Sequence, residues 1–451
     1  MEEKRGRDLI DQMNAQNDEF DFSRRKFLGV AAAAGVVVAA CSQAEKTPVT
    51  RSVTKMVPGP DIAPDGPVLK AGLIGCGGRG TGAAGDFLDA GPSLQIAALA
   101  DVFDDQLQRC RARLKEDRGV EVADDHCFVG FDAHTKLLET DVDIVILATP
   151  PHFRPEQFEA AVQARKHVFM EKPVAVDPVG VRSVMATAEK AEALDLVVVT
   201  GTQYRHQKSF IETYNRVLDG AIGQVVGARG YSLRGQLWYK EPREEWTDME
   251  DMLRDWVNWQ WLSGDHIVEQ HIHGLDVMFW FTEQHPIKGV AVGGRARRVT
   301  GDQYDFFSVD YELGNGAHIN SMCRQVDGCT NNISRFVLGT EGYTDCSNTI
   351  YNYNNEVVWS YDEENDNSPY VQEHIDLVTT LRKGEKFNEA VETAKSTMAA
   401  IMARDSAYTG LEITMDELMK SDQRLGPTVY ELGGVEGLVA EAPVPGTQKE
   451  A

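Results

Sequence analysis

The 451-residue chain contains no Cys-x-x-Cys pair, no block of basic residues and no apolar run of the ~20 residues a membrane-spanning helix needs. Each absence excludes something. Seven cysteines, at 41, 76, 110, 127, 323, 329 and 346, form an odd and scattered set that indicates neither a zinc ribbon nor a disulfide framework. Forty-five Lys and Arg stand against 70 Asp and Glu, a formal charge of −25. Without a cationic stripe to neutralise phosphates, nucleic acid is not expected as a partner. What is present is a folded chain's composition, 42% hydrophobic and 25% charged, with length for two or three domains.

An address label stands at the start. Ser23-Arg24-Arg25-Lys26-Phe27-Leu28 precedes an apolar run from Gly29 to Ala40, of the length of a signal h-region. Paired arginines there resemble a twin-arginine export signal, spanning residues 1–40. Val38-Ala39-Ala40-Cys41 resembles a lipobox, which would make Cys41 the site of lipidation. Residues 41–67, rich in Pro, Thr and Asp and without a period, read as a tether. The expected location is outside the cytoplasm, in the periplasm or on a membrane surface, with the Tat translocase as a transient partner.

From Val68 the texture is α/β. Val68 to Ile74 is a strand-length apolar run leading into Gly75-Cys76-Gly77-Gly78-Arg79-Gly80, a G-x-G-x-x-G loop followed by a helix-like stretch. Its glycines serve a tight turn, the approach of backbone to a pyrophosphate, and helix-on-strand packing, while the helix N-terminus offers N–H groups to phosphates. A second strand, Leu94 to Ala100, ends at Asp101, where a carboxylate would accept bonds from ribose hydroxyls and repel a 2′-phosphate. NAD is therefore favoured over NADP. Further strands at 143–148, 167–170 and 195–200 alternate with helices at 104–115, 157–164 and 179–193. The pattern predicts a doubly wound parallel sheet of the Rossmann kind over residues 68–200. Its strand ends carry Asp101, Thr149-Pro150-Pro151-His152 and Glu171-Lys172-Pro173.

After Thr200 alternating stretches at 225–231, 289–295, 306–313, 317–324 and 335–339 predict an α+β domain over residues 201–420. Its sheet is open and mainly antiparallel, one face covered by helices and the other free for a second copy. Helices are expected at 370–382 and 390–408, and a tail over 421–451. Gly264 to Asp276 (GDHIVEQHIHGLD) is the segment richest in chemistry. As a helix it would stand Glu269 and His273 four residues apart on one face, with His271 turned away. A carboxylate beside that imidazole would orient it and raise its pKa toward neutrality, as a general base requires. Because those helical directions also split His266, Glu269, His271 and His273, and the order His-Glu-x-x-His is absent, no metal site is expected.

GCGGRG after the first strand, ATPPH after the fourth and EKPVAVD after the fifth resemble the Gfo/Idh/MocA family, whose members include glucose-fructose oxidoreductase and inositol dehydrogenase. The resemblance covers about Val68 to about Lys420. It implies a homo-oligomeric, NAD(P)-dependent oxidoreductase acting on CH–OH groups of sugars or polyols. Cofactor contacts would come from Gly75, Gly77, Gly78, Arg79, Gly80, Asp101, Thr149, Pro150, His152, Glu171 and Lys172. It implies Lys172 and His273 as the catalytic pair, with Glu269 standing where better-known dehydrogenases carry Asp. Lys172, Tyr204, Arg205 and His273 would meet the substrate. Export adds a consequence: free nicotinamide nucleotide is expected to be scarce outside the cytoplasm, so a tightly held NAD would be reduced and reoxidised within one site. A redox-neutral glycoside hydrolase or lyase working through a transient keto-sugar is the alternative, resembling the family's NAD-dependent N-acetylgalactosaminidase branch. A non-catalytic sugar-binding lipoprotein is a lesser one.

Overall fold

Short apolar strands and helices alternate from Leu69 to Thr200 in a computed structural model that describes residues 55–364, 366–436 and 440–446. The expected signal segment, Cys41 and residues 41–54 of the expected tether lie outside the described residues. Among the described residues no helix is long and apolar enough to cross a membrane.

Six strands, β1 (Leu69–Ile74), β2 (Leu94–Asp101), β3 (Cys127–Val129), β4 (Ile144–Leu147), β5 (His167–Met170) and β6 (Val198–Thr200), make a parallel sheet in the order β3-β2-β1-β4-β5-β6. Helices α1 (Gly78–Asp89), α2 (Asp104–Arg118), α3 (Ala133–Leu138), α4 (Arg154–Gln163) and α5 (Pro178–Ala193) connect them. Every residue of β4 is buried, as a strand sealed on both faces must be. Local chemistry sets the helix ends. Asp177 caps α5 by accepting the Gly180 N–H at 2.7 Å, with Pro178 at the first helical position. Gly119, at φ +67°, closes α2 in the left-handed conformation. Strand order reverses between β1 and β4, which opens a crevice above their carboxyl ends.

The second sheet has nine strands: β7 (Val225–Arg234), β8 (Pro286–Gly294), β9 (Phe306–Leu313), β10 (His318–Gln325), β11 (Asn332–Gly339), β12 (Gly342–Thr344), β13 (Thr349–Asn352), β14 (Val357–Ser360) and β15 (Ile413–Thr414). Their order is β14-β13-β12-β11-β7-β10-β9-β8-β15. Every pair is antiparallel except β7 with β10. Side chains alternate as a half-covered sheet requires. On β9, Phe307, Val309, Tyr311 and Leu313 are buried while Phe306 and Asp310 face outward. The longer helices of this half are α6 (Lys208–Leu218), α7 (Asp248–Arg254), α8 (Ile272–Thr282), α9 (Pro369–Lys383) and α10 (Ala390–Thr409). α8 lies on β7 and β11, α10 packs on both β8 and α5, and α9 returns to α1. The late helices thus lock the second half onto the first. The other sheet face is open and carries the exposed apolar residues Val290, Val292, Phe306 and Met322.

Two expected boundaries change. Residues 55–67 are no tether but an arm laid along the body. Ala63 is buried and its N–H bonds the Ala90 carbonyl at 2.9 Å. Gln372 donates to the Pro60 carbonyl at 3.0 Å, and Asn215 makes two bonds to the backbone of Met56, at 3.0 and 2.8 Å. The tail also folds back: the Leu425 N–H reaches Asp177 at 2.9 Å, and the Tyr304 hydroxyl donates to Pro443 at 2.7 Å. Pro and polar residues hide both segments from a periodicity reading, because their backbone is satisfied by side chains of distant elements. Replacing Asn215 by Ala removes both bonds to Met56 and is expected to cost about 1–2 kcal/mol. The loss would read out as a lower Tm and faster limited proteolysis within residues 55–67, and unchanged cleavage there would contradict the docked arm.

Candidate active site

At the crevice, β1 runs into the glycine loop and α1 begins at Gly78. Gly75 sits at φ +98°, where a β-carbon would press on the backbone of Ala148 and Thr149. A β-carbon on Gly80 would collide with the Gly75 carbonyl oxygen, so the first and last glycines are required by the fold itself. Gly77 and Gly78 differ: a β-carbon on either would meet nothing within 4 Å, and no side chain caps α1. Their backbone faces open space with helix N–H groups free, the surface a pyrophosphate needs. Asp101 braces the loop, accepting the Cys76 N–H at 2.7 Å and the Phe103 N–H at 2.8 Å. Burial raises its pKa above the ordinary carboxylate value.

A cleft of about 510 Å³ continues from this loop and is lined by Gly75, Gly77, Gly78, Arg79, Gly80, Asp101, Thr149 and Pro150. One turn, one open helix end and one carboxylate at the end of β2 match the turn, diphosphate and ribose of a dinucleotide. The far wall has no counterpart among the sequence motifs. Trp238, Lys240, Leu253, Arg254 and Trp256, from the second half, close over Phe103. The Arg254 guanidinium lies 4.0 Å from the Phe103 ring centroid and 3.0 Å from Asp105. No local pattern announces this wall, because its residues come from segments more than 130 positions beyond Phe103 and meet it only in the folded chain.

Other expected cofactor residues stand back from the cleft. His152 is turned into an aromatic box with Phe153, Trp261 and Tyr430, bonding the Tyr430 hydroxyl at 2.6 Å. Burial pushes its pKa down to about 4. Glu171 is buried and ion-paired to Arg79, whose guanidinium also meets Asp86 at 2.8 Å and Glu373 at 3.0 Å. Arg79 thus has its charge satisfied by three carboxylates.

Lys172 extends from the end of β5 to the junction of the two halves. Its Nζ donates to the Glu269 carbonyl at 2.6 Å and to Glu269 Oε1 at 3.1 Å. The 264–276 segment is not one helix: a turn at His266–Glu269 ends before α8 starts at Ile272. That break corrects the expected Glu269–His273 pair. Glu269 faces Lys172 and Gln270, and among the described residues His273 Nδ1 is buried without a hydrogen-bond partner. The imidazole pKa is driven below its usual range, not raised, by burial first and then by the positive charges of Lys172, Arg335, Arg234 and Arg79. His273 is therefore neutral at neutral pH, with an acceptor nitrogen available. Tyr204 stands edge-on to it, ring centroids 6.0 Å apart. Arg205 does not turn to the site. Its fork grips Asp276 at 2.8 and 2.9 Å under Trp280, and Ser396 holds the same carboxylate. His266 pairs with Asp265 and His271 with Ser321, so the histidines diverge.

Residues 69–201 match the model of the oxidoreductase family with the NAD-binding Rossmann fold, GFO_IDH_MocA. These residues are a Gfo/Idh/MocA NAD-binding domain. The chain is similar to inositol 2-dehydrogenase of Salmonella typhimurium, 26% identical over 218 residues, 48% of this chain and 55% of that one. It is also similar to a glycosyl hydrolase family 109 protein of Streptomyces coelicolor, 27% identical over 216 residues, 46% of this chain and 44% of that one. The chain spans about half the length of the curated relatives it matches. Its fold is that of aldose-aldose oxidoreductase from Caulobacter crescentus, TM-score 0.62 at 19% identity, covering 77% of this chain and all of the other.

The two kinds of glycine give separable outcomes. Gly80→Ala should lower Tm and nucleotide content together, because its β-carbon strikes the loop. Gly77→Ala should leave the Tm of nucleotide-free protein in place and weaken NAD binding about tenfold or more, ~1.4 kcal/mol, by standing in the phosphate's path. Equal Tm losses in both would contradict an open phosphate floor.

Proposed function

We propose that the protein is an NAD-dependent oxidoreductase acting on a sugar, polyol or glycoside hydroxyl, with its nucleotide retained and recycled within the site. The observation that carries this reading is Lys172, an ammonium held by Glu269 at the end of β5, with an unpartnered neutral imidazole, His273, within its electrostatic reach. Bound NAD would supply the hydride acceptor. A carbinol gives up hydride readily when its oxygen becomes alkoxide-like, and that needs a cation and a base. Lys172 donates a hydrogen bond to the reacting hydroxyl and stabilises the negative charge developing on its oxygen. His273, uncharged, accepts the proton at the ring nitrogen left unprotonated in its neutral form. Glu269 holds Lys172 in place through its carbonyl and carboxylate. The Trp238–Trp256 wall favours slow release of the nucleotide. Export through the twin-arginine signal, a lipid anchor at Cys41 and pairing of copies across the open sheet face belong to the same proposal.

Similarity to the family 109 protein favours a second reading, in which the same residues open a glycosidic bond through a transient ketone that is then reduced again. Sugars and glycosides assayed for both nicotinamide reduction and bond cleavage separate the two.

Protein denatured after purification should release about one equivalent of NAD per chain, whereas less than about a tenth of an equivalent would remove the retained-cofactor idea. Lys172→Ala should abolish hydride transfer with nucleotide still bound, and His273→Asn should slow it about 10²–10⁴-fold. Because the His273 pKa is depressed, the imidazole remains a base as pH falls through 6.5. The acid limb of kcat/KM is expected below that value; a limb above it that disappears in His273→Asn would contradict the electrostatic assignment.

A further inference from the structure

The inner face of the second sheet carries two arginines without counter-ions among the described residues. Gly230 of β7 faces α8, since a β-carbon there would meet Met278. Arg335 of β11 pairs directly opposite Gly230, and Arg234 lies four residues along β7, so both belong to this covered face. Among the described residues neither guanidinium makes an ion pair or a side-chain hydrogen bond, and the Nε of each is buried with no partner. That is unusual for arginine in a chain with 70 acidic residues. Arg79, Arg205, Arg254 and Arg404 all have carboxylates.

Both are linked to the candidate catalytic centre through intervening side chains. Arg335 stacks on Tyr204, its guanidinium 4.5 Å from the ring centroid, and Tyr204 stands edge-on to His273. Stacking fixes the plane of the guanidinium and leaves its N–H edges to point outward. Arg234 pairs across the sheet with Gln325, whose amide donates to Gln270 at 2.9 Å, and Gln270 in turn donates to Glu269, the partner of Lys172. The two arginines therefore approach the Lys172–His273 centre from two points on one strand pair. Both also act on the charge of His273, which places them within its electrostatic reach.

We propose that the substrate carries an anionic group, a carboxylate as in a uronic acid or a phosphate ester, and that Arg335 and Arg234 hold that group while a neighbouring hydroxyl meets Lys172 and His273. An anion would satisfy the free N–H edges with charge-assisted hydrogen bonds, for which the guanidinium fork matches both oxyanions. A neutral sugar would leave two cations uncompensated in a partly desolvated site. The inference rests on the oxidoreductase reading for the hydroxyl and stands on the arginines for the anion.

The test uses full-length protein loaded with NAD and three probes: D-glucuronate, glucose 6-phosphate and D-glucose. Binding is followed by calorimetry and by the shift in Tm, and turnover by nicotinamide reduction. At least one anionic probe should bind about tenfold or more tighter than glucose, and which one does so distinguishes carboxylate from phosphate. Arg335→Met and Arg234→Met, with Tm checked first, should shrink that preference, mainly through KM, with partial recovery in Arg335→Lys. Equal or better binding of glucose by the unaltered protein overturns the proposal without requiring any variant, as does an anion preference that survives in both Met variants. Anion preference without nicotinamide reduction upholds the arginine site and overturns the hydride-transfer reading alone.

Discussion

The contact of Lys172 with Glu269 ties the molecule's two halves together at the point where chemistry is proposed. The lysine belongs to the end of a parallel strand and the glutamate to a broken helical segment that follows the first strand of the other sheet. Both side chains are about nine-tenths buried. Removing one partner of such a pair leaves a desolvated charge, typically a penalty of about 3–5 kcal/mol. A second bond, from the ammonium to the Glu269 carbonyl, fixes the lysine to backbone as well as to side chain. The helix has to break between Glu269 and Ile272 for that carbonyl to be available. The same break takes Glu269 and His273 off one continuous helical face.

Charge distribution follows from this arrangement. The protein is strongly acidic as a whole, yet the positive charges of Lys172, Arg79, Arg234 and Arg335 all act on one half-buried histidine. Arg79 is compensated by Glu171, Asp86 and Glu373; among the described residues the two sheet arginines have no such partner. Local field, not net charge, decides the protonation state of His273. Burial penalises the imidazolium and nearby cations penalise it further, so both causes act in one direction. Two segments laid onto the body serve the same end of enclosure. The arm at 55–67 and the tail around Leu425 to Tyr430 cover the helical side and the box around His152, and the Trp238–Trp256 wall covers the nucleotide cleft.

Much of this architecture is legible in the amino-acid sequence. Strands β1, β2, β4, β5 and β6, helices α1, α2, α4 and α5, the glycine loop and Asp101 fall where local pattern places them, because continuous apolar runs and glycine-dependent turns are determined within a few residues, whereas the short β3 and α3 are not located by it. Alternation likewise locates β7, β9 and β10 within one to three residues. Arg205 illustrates where local pattern fails. It follows Tyr204 in a polar stretch and reads as a substrate residue, but Asp276, 71 positions later, occupies its fork. Glu269 and His273 show the limit of helical arithmetic, since a spacing of four brings side chains together only if the helix is continuous.

By itself the sequence determined a Rossmann sheet with a dinucleotide loop, an antiparallel second sheet and a lysine at the end of the fifth strand. These depend on period, on glycine and on short-range turns. Only the tertiary structure decided which charges are neutralised and which are left open. Arg79 and Arg205 look no different from Arg234 and Arg335 along the chain. Apart from Asp86, on the same helix as Arg79, their partners come from elements 71 to 294 residues away, and burial, which sets the cost of each unpaired charge, exists only once those elements have packed.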